Sequence, residues 1–337
     1  MPNATIYDVS ELAQVSIATV SRVLNSPDQV GEETRARVIA AIDELGFVPK
    51  FEAIARARKA LGRIGILTPS FTSDSFVDRL RGLITALSGL PYEPVIYDVT
   101  SDAQRDGYLT SLPMTRQVDG LIAIDLPIDE TAVDRLLKYK LPTVQIVPSS
   151  QSSISRDITT IVHDDKEGGR IAAEYLLAKG HRTLGYVGDT GQPEYLGTFK
   201  DQKLDSFRQT LALNGVALPD DHVRLGLFGL ESARQLTHQL LKIPTPPTAI
   251  FAGSDTQAIG VLRAVRESER KVPDDMAVMG FDDIEVAEYI GLTTIRQQLK
   301  ESGQLALTLL LELMEQSNDA QVQSISLPFT LMERDTA

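Results

Sequence analysis

Apolar positions recur at helical spacing before residue 50, and from Ile64 onward they gather into short continuous runs instead. In the first region, Thr5-x-x-Asp8 has the form of a helix start signal, after which Ile6, Val9, Leu12 and Ala13 fall on one helical face. Ser16 is placed to cap a second helix whose Val20, Val23 and Leu24 point inward. A third helix is expected after Gly31, burying Val38, Ile42 and Leu45 and stopping at Gly46 with Pro49 beyond. Residues 1–49 therefore predict a very small all-α unit.

The later runs are IGILT (64–68), PVIYDV (94–99), GLIAID (120–125), TVQIV (143–147), LGYVG (184–188), TAIFAG (248–253) and MAVMGFDD (276–283). Amphipathic stretches such as FVDRLRGLITAL and KEGGRIAAEYLLAKG lie between them, the latter ending at the helix-stopping Gly180. Strands that alternate with helices imply parallel sheets with crossover connections. The length from 64 to 337 suffices for two such layers, and it contains neither an internal repeat nor a low-complexity tract.

Composition supports a buried core, with 42% hydrophobic and 23% charged residues among 337. The absence of cysteine removes disulfides, a thiol nucleophile and cysteine metal sites, and it suits a reducing cytoplasm. The first residues resemble no secretory leader, and no stretch approaches the ~20 apolar residues of a membrane span. A net charge of -13 argues at first against nucleic acid. Its distribution changes that inference, because residues 50–63 carry Lys50, Arg56, Arg58, Lys59 and Arg63 against Glu52 alone. The acidic excess lies beyond residue 63.

Only Gln14 to Ser16 separate the first two predicted helices, which is room for the turn of a helix-turn-helix. The outward stripe of the second helix is Ile17, Ala18, Ser21, Arg22 and Asn25. Arg22 can bond both acceptors of a guanine edge, and Ile17 and Ala18 can touch a thymine methyl. Thr5, Tyr7, Ser16, Thr19, Ser21, Asn25 and Thr34 are candidates for phosphate contact. On pattern alone, a plain three-helix bundle with a polar face fits equally well.

The residue strings go further. TIYDVSELAQVSIATVSRVLN closely resembles the N-terminal signature of the LacI/GalR family of bacterial transcription regulators. The resemblance continues through Val30, Thr34, Arg35, Arg37 and Val38, LGFVP (45–49), HDDKEGG (163–169), KGHRTLGYVG (179–188), PPTAIFAGSDTQAIG (246–260), VPDDMAVMGFDD (272–283) and LTTIRQ (292–297). It implies a helix-turn-helix DNA-binding headpiece (1–49), a hinge (50–63), and an effector-binding and dimerisation core (64–337). That core is expected to be α/β, with two Rossmann-like parallel-sheet subdomains like those of periplasmic binding proteins and chain crossovers near 160 and within 290–325. The implied activity is that of a cytoplasmic homodimeric repressor of a palindromic operator, controlled by a small effector such as a sugar, with no cofactor.

Two departures from the family pattern stand out. Gln14 occupies a turn position where many members have Gly, so a non-glycine residue is expected to accept a positive φ there. The hinge lacks the family's Ala-Arg-x-Leu: Ala53-Ile54-Ala55-Arg56 puts Arg56 where a minor-groove leucine wedge is usual. An arginine prefers a narrow, electronegative groove to an unstacked step, which implies a less kinked operator contacted by Arg56, Arg58 and Lys59. An ordinary solvated basic linker reads equally well.

Effectors of two-layer cores sit at the carboxyl ends of the strands. Asp125 ends one run, Asp255 follows another, and Asp282 matches the family's effector-binding aspartate. Phe76 and Phe228 match aromatic pocket positions, Ser75 adjoins Phe76, and Lys203 stands where many members carry arginine. Lysine offers a point donor rather than a fork, so that contact is altered. Asp255 and Asp282 also suit helix capping.

Enzyme readings lack their motifs. There is no G-x-G-x-x-G after the first run, no P-loop and no G-x-S-x-G elbow. His163 beside Asp164 and Asp165 suggests a metal or general-base site, but His163, His181, His222 and His238 show no ligand spacing. A solute-binding protein with no DNA role is the remaining alternative, and it would need a leader and no helix-turn-helix.

Overall fold

The computed structural model describes residues 5–25, 30–45, 47, 62–69, 71–149, 157–190, 201–315 and 322–337. It divides into two units, Met1–Leu61 and Gly62–Ala337. The hinge candidates Arg56, Arg58 and Lys59, with Gly46 and Pro49, lie outside the described residues, as do the side chains of Leu24 and Asn25.

The first unit contains α1 (Ile6–Leu12), α2 (Ile17–Asn25) and α3 (Glu32–Leu45). Thr5 caps α1 through a reciprocal box, in which its hydroxyl accepts from the Asp8 amide and the Asp8 carboxylate accepts from the Thr5 amide at 2.7 Å. Ser16 Oγ accepts from the Thr19 amide at 3.1 Å at the start of α2. Val9, Ala13, Val20, Val23, Val38 and Ala41 form the core, with Ile42 and Leu45 packed against it. Leu12 departs from the expected face and is exposed, because α1 ends there and the chain turns away. Gln14 makes that turn with φ +52°, the positive angle its position demands.

The second unit consists of two lobes. The first lobe is built on β1 (Arg63–Pro69), β2 (Glu93–Val99), β3 (Gly120–Ile124), β4 (Thr143–Pro148), β5 (Thr159–His163) and β11 (Ser324–Ser326), in the order β11-β5-β4-β3-β1-β2 and all parallel. The second holds β6 (Leu184–Asp189), β7 (Val223–Gly226), β8 (Ala249–Ala252), β9 (Ala277–Asp282), β10 (Thr293–Arg296) and β12 (Thr330–Met332), in the order β12-β10-β9-β8-β6-β7. Only the β10–β12 pair in it is antiparallel. Central strands such as β3, β8 and β9 are buried along their whole length, as parallel strands covered on both faces must be.

Helices cover both faces of each sheet. In the first lobe these are α4 (Asp74–Leu87) and α12 (Leu299–Glu315) on one face, with α5 (Asp102–Thr115) and α6 (Glu130–Lys138) on the other. In the second, α7 (Asp165–Ala178) and α8 (Gln202–Leu213) oppose α9 (Leu230–Leu240) and α10 (Asp255–Glu267), and the short α11 (Glu285–Tyr289) follows β9. Helix α7 stops before Gly180, whose φ is +93°. The chain passes between lobes three times: from β5 to α7, from β10 to α12, and from β11 to β12.

Glycines set how closely several of the helices lie. A Cβ on Gly303 of α12 would stand 2.0 Å from the carbonyl oxygen of Arg79 on α4, and one on Gly169 of α7 would stand 2.2 Å from that of Lys203 on α8. Each glycine therefore fixes where a basic residue of the other helix begins. Gly303→Ala is expected to separate α4 from α12 and cost roughly 2–3 kcal/mol through overpacking. A urea unfolding midpoint equal to that of the unsubstituted chain would contradict this.

Candidate functional site

The carboxyl ends of β3, β5, β9 and β10 bring charged side chains from both lobes to one crevice. Arg79, on the buried face of α4 and 3% exposed, places Nη1 3.4 Å from Asp125 Oδ2 at the end of β3. The other oxygen of Asp125 lies 3.1 Å from His163 Nε2 at the end of β5, and His163 Nδ1 lies 3.2 Å from Asp165 Oδ1 at the start of α7. Lys203 of α8 stands within electrostatic reach of Asp165 and Asp282, its ammonium 4.4 Å from the centroid of Phe281. Asp282 Oδ1 accepts from Gln297 Nε2 at 2.7 Å, and Gln297 Oε1 accepts from Arg79 Nη2 at 3.1 Å. With Lys203 reaching Asp165 and Asp282 through space rather than by direct contact, and Gln297 standing between Asp282 and Arg79, these residues form a ring of three cations and three carboxylates.

Burial and pairing compete at each member. Burial alone would depress the His163 imidazolium, but hydrogen bonds to Asp125 and Asp165 raise it to about 9. Burial would raise Asp165, yet Lys203 and His163 hold it down at about 2. Asp125 is lowered overall, the Arg79 and His163 charges outweighing its desolvation. Lys203 goes up to about 12 because Asp165, Asp201 and Asp282 outweigh its burial. Burial prevails at Asp282, which rises to about 6 although Lys203 and Arg79 oppose it.

Two of these residues also carry backbone strain. Asp125, directly after β3, has φ +49°, and Asp282, at the end of β9, has φ +114°. Non-glycine residues in this region cost of order 1–3 kcal/mol and concentrate at functional sites. The ring borders a small cavity lined by Arg79, His163, Gln297 and Ser302 together with Ile146, Ile161, Leu327 and Phe329. Arg79 Nε is buried without a hydrogen-bond partner.

Asp125, Lys203 and Asp282 are thus brought together. Ser75 and Phe76 lie in the first turns of α4, with Phe76 5.8 Å from the Arg79 guanidinium carbon. Phe228 is exposed in the turn after β7. Asp255 is different: it is fully buried, its Oδ2 accepts from the Ile284 amide at 2.9 Å, and its Oδ1 accepts from Thr294 at 2.5 Å. Through these bonds it braces β10 and the chain after β9, and Ser254 caps α10. Arg79, His163, Asp165 and Gln297 complete the ring without having been singled out as effector contacts. The sign that could have found His163 and Asp165 is the charged run HDDKE directly after an apolar strand.

In the first unit, Ile17, Ala18 and Arg22 form an exposed stripe on α2, and Tyr7 is exposed on α1. Ser21 and Thr34 are half-buried. The Ser16 and Thr19 hydroxyls bond each other at 2.9 Å, and Thr5 donates to Asp8 at 2.7 Å, so these three have local partners. Among the described residues, no group of histidine and carboxylate side chains is arranged to hold a metal ion, and no helix is long and apolar enough to cross a membrane.

The ring predicts a pH dependence of stability. His163 titrates near 9 folded and near 6.5 in its ordinary state, so its contribution is fully present below 6.5 and disappears as pH rises through 9. The loss is on the order of 3 kcal/mol. Thermal unfolding of the protein followed from below pH 6.5 to above pH 9 is expected to show this decline, and His163→Gln to flatten it. An undiminished slope in the variant would assign the decline to other groups.

Comparison with known proteins agrees with this architecture. Residues 5–50 match the model of bacterial regulatory proteins of the lacI family, and residues 173–337 match a periplasmic binding protein-like domain. The chain is 33% identical to the ribose operon repressor of Escherichia coli (strain K12) over 99% of its own length and 100% of the relative's. The lac repressor dimer bound to operator and the anti-inducer ONPF superposes with a TM-score of 0.73 at 28% identity, covering 99% of this chain and 98% of that one. A LacI family transcriptional regulator from Enterococcus faecium with bound ribose gives 0.68 at 27% identity, covering 81% and 98%. These relatives are regulators rather than enzymes, and the headpiece match sets aside a solute-binding protein with no DNA role. The chain belongs to the LacI family of bacterial regulatory proteins and is a DNA-binding transcriptional regulator.

Proposed function

We propose that this regulator is a cytoplasmic homodimeric repressor of a palindromic operator, released or retained by a small hydroxyl-rich effector, a sugar, bound in the interlobe crevice. The observation that carries the reading is the charged ring, which draws on both lobes: a ligand that engages it has different affinities for open and closed crevices. Such a difference is what links effector binding to DNA affinity, and the linkage is reciprocal. The ribose named for one relative and bound in another supports a sugar. Two headpieces about a twofold axis account for the palindrome.

The residues divide by role in this proposal. Arg22, Ile17 and Ala18 read bases, while Thr5, Tyr7, Ser16, Thr19, Ser21, Asn25 and Thr34 position the headpiece on phosphates. Arg56 in the 50–63 hinge contacts the minor groove or its phosphates. Asp125, Lys203 and Asp282 hold effector hydroxyls, with Ser75, Phe76 and Phe228 at the rim. Residues 64–337 bind effector and dimerise.

Selection of operator sequences with the full chain tests this. Arg22→Ala is expected to relax discrimination at one base pair by roughly 1–3 kcal/mol, whereas Arg56→Ala lowers affinity uniformly across sequences and reduces its salt slope. Asp282→Asn should remove the sugar response and leave operator binding intact. DNA binding by a 64–337 fragment would contradict the assignment of the headpiece.

A further inference from the structure

The ring does more than mark where an effector enters. Resting on the crevice being the effector site, we propose that it restricts this protein to electrically neutral, hydroxyl-rich effectors, and that His163 is the residue that sets this charge rule. Arg79, His163 and Lys203 stand among Asp125, Asp165 and Asp282, three cations against three carboxylates, so the fixed charges of the ring sum to zero.

The charge on His163 follows from its geometry. Both imidazole nitrogens face carboxylate oxygens, at 3.1 and 3.2 Å. Ionised carboxylates only accept hydrogen bonds, so both nitrogens carry hydrogen and the ring is an imidazolium. Two further carboxylates lie beyond Lys203: Asp201 accepts from the Tyr186 hydroxyl and the Leu204 amide, and its burial favours the neutral form. Asp189, also near Lys203, has a partner of its own.

A charged effector leaving water for this crevice adds a net charge that a ring summing to zero does not offset. A hydroxyl needs only a donor and an acceptor. The carboxylates supply acceptors, and Arg79 Nε, buried at the crevice without a partner, supplies a directed donor to a neutral oxygen. Removing the imidazolium leaves three carboxylates facing two cations, which turns the preference toward a cationic ligand.

Calorimetric titration of the full-length protein with matched sugars tests the rule: D-glucose against D-glucosamine and D-glucuronate, and D-ribose against D-ribose 5-phosphate. A neutral sugar is expected to bind, with its charged counterparts weaker by about tenfold or more. His163→Gln is expected to weaken the neutral sugar by about tenfold and to raise the ratio of amino-sugar to neutral-sugar affinity, a change that a merely structural role would not produce. A charged sugar bound as tightly as its neutral parent, or an unchanged ratio in the variant, overturns the charge rule and leaves the sugar effector in place. Binding of adenosine with no binding of any sugar overturns the effector reading itself.

Discussion

An imidazolium held between two carboxylates governs this core, because none of the three ions is tolerable there without the others. Breaking a buried ion pair by removing one partner costs several kcal/mol, since the remaining charge stays out of water. His163 and Asp125 come from strand ends of the first lobe, while Asp165 opens the first helix of the second, so the pairing ties the lobes at the point where the chain first crosses. Much of the surrounding structure serves that placement. Gly303 lets α12 rest against the backbone of Arg79, Gly169 does the same for α7 and Lys203, and the positive φ values of Asp125 and Asp282 turn their carboxylates out of the strands.

How much of this was legible in the sequence depended on the range of the interaction. The headpiece could be read because its signals are local: Thr5 and Asp8 cap across one turn, and Val9, Val20 and Val38 recur at helical spacing. Leu12 misled because periodicity does not say where a helix ends. The central strands announced themselves as apolar runs, whereas β7, β11 and β12 are short, partly exposed edges with little apolar signal. Asp125 and Asp282 could be placed at strand ends, but their partners could not be named. Arg79 bonds a residue 218 positions away, and within FVDRLRGLITAL it reads as one more charge on a solvated face. Asp255 shows the converse, a carboxylate at a strand end that the fold consumes internally.

The overall charge of -13 also takes on a clearer meaning. An acidic core repels the polyanion that the headpiece must approach, which disfavours contact with DNA elsewhere on the chain. The crevice is a separate electrostatic problem, solved by internal compensation rather than by net charge. One chain can thus present an acidic exterior, a short cationic segment and a balanced interior without these requirements interfering.

The threefold passage of the chain between lobes also bears on how the protein is made. The first lobe begins at Arg63, yet its edge strand β11 and its covering helix α12 arrive only with residues 299–326. The second lobe waits for β12, a few residues later. Neither sheet can be completed during early translation, and the exposed flank of β5 must stay unpaired while the whole second lobe emerges from the ribosome. Such late, long-range closure slows folding and prolongs exposure of a strand edge. The topology that joins the lobes three times therefore also makes their assembly a single, terminal event.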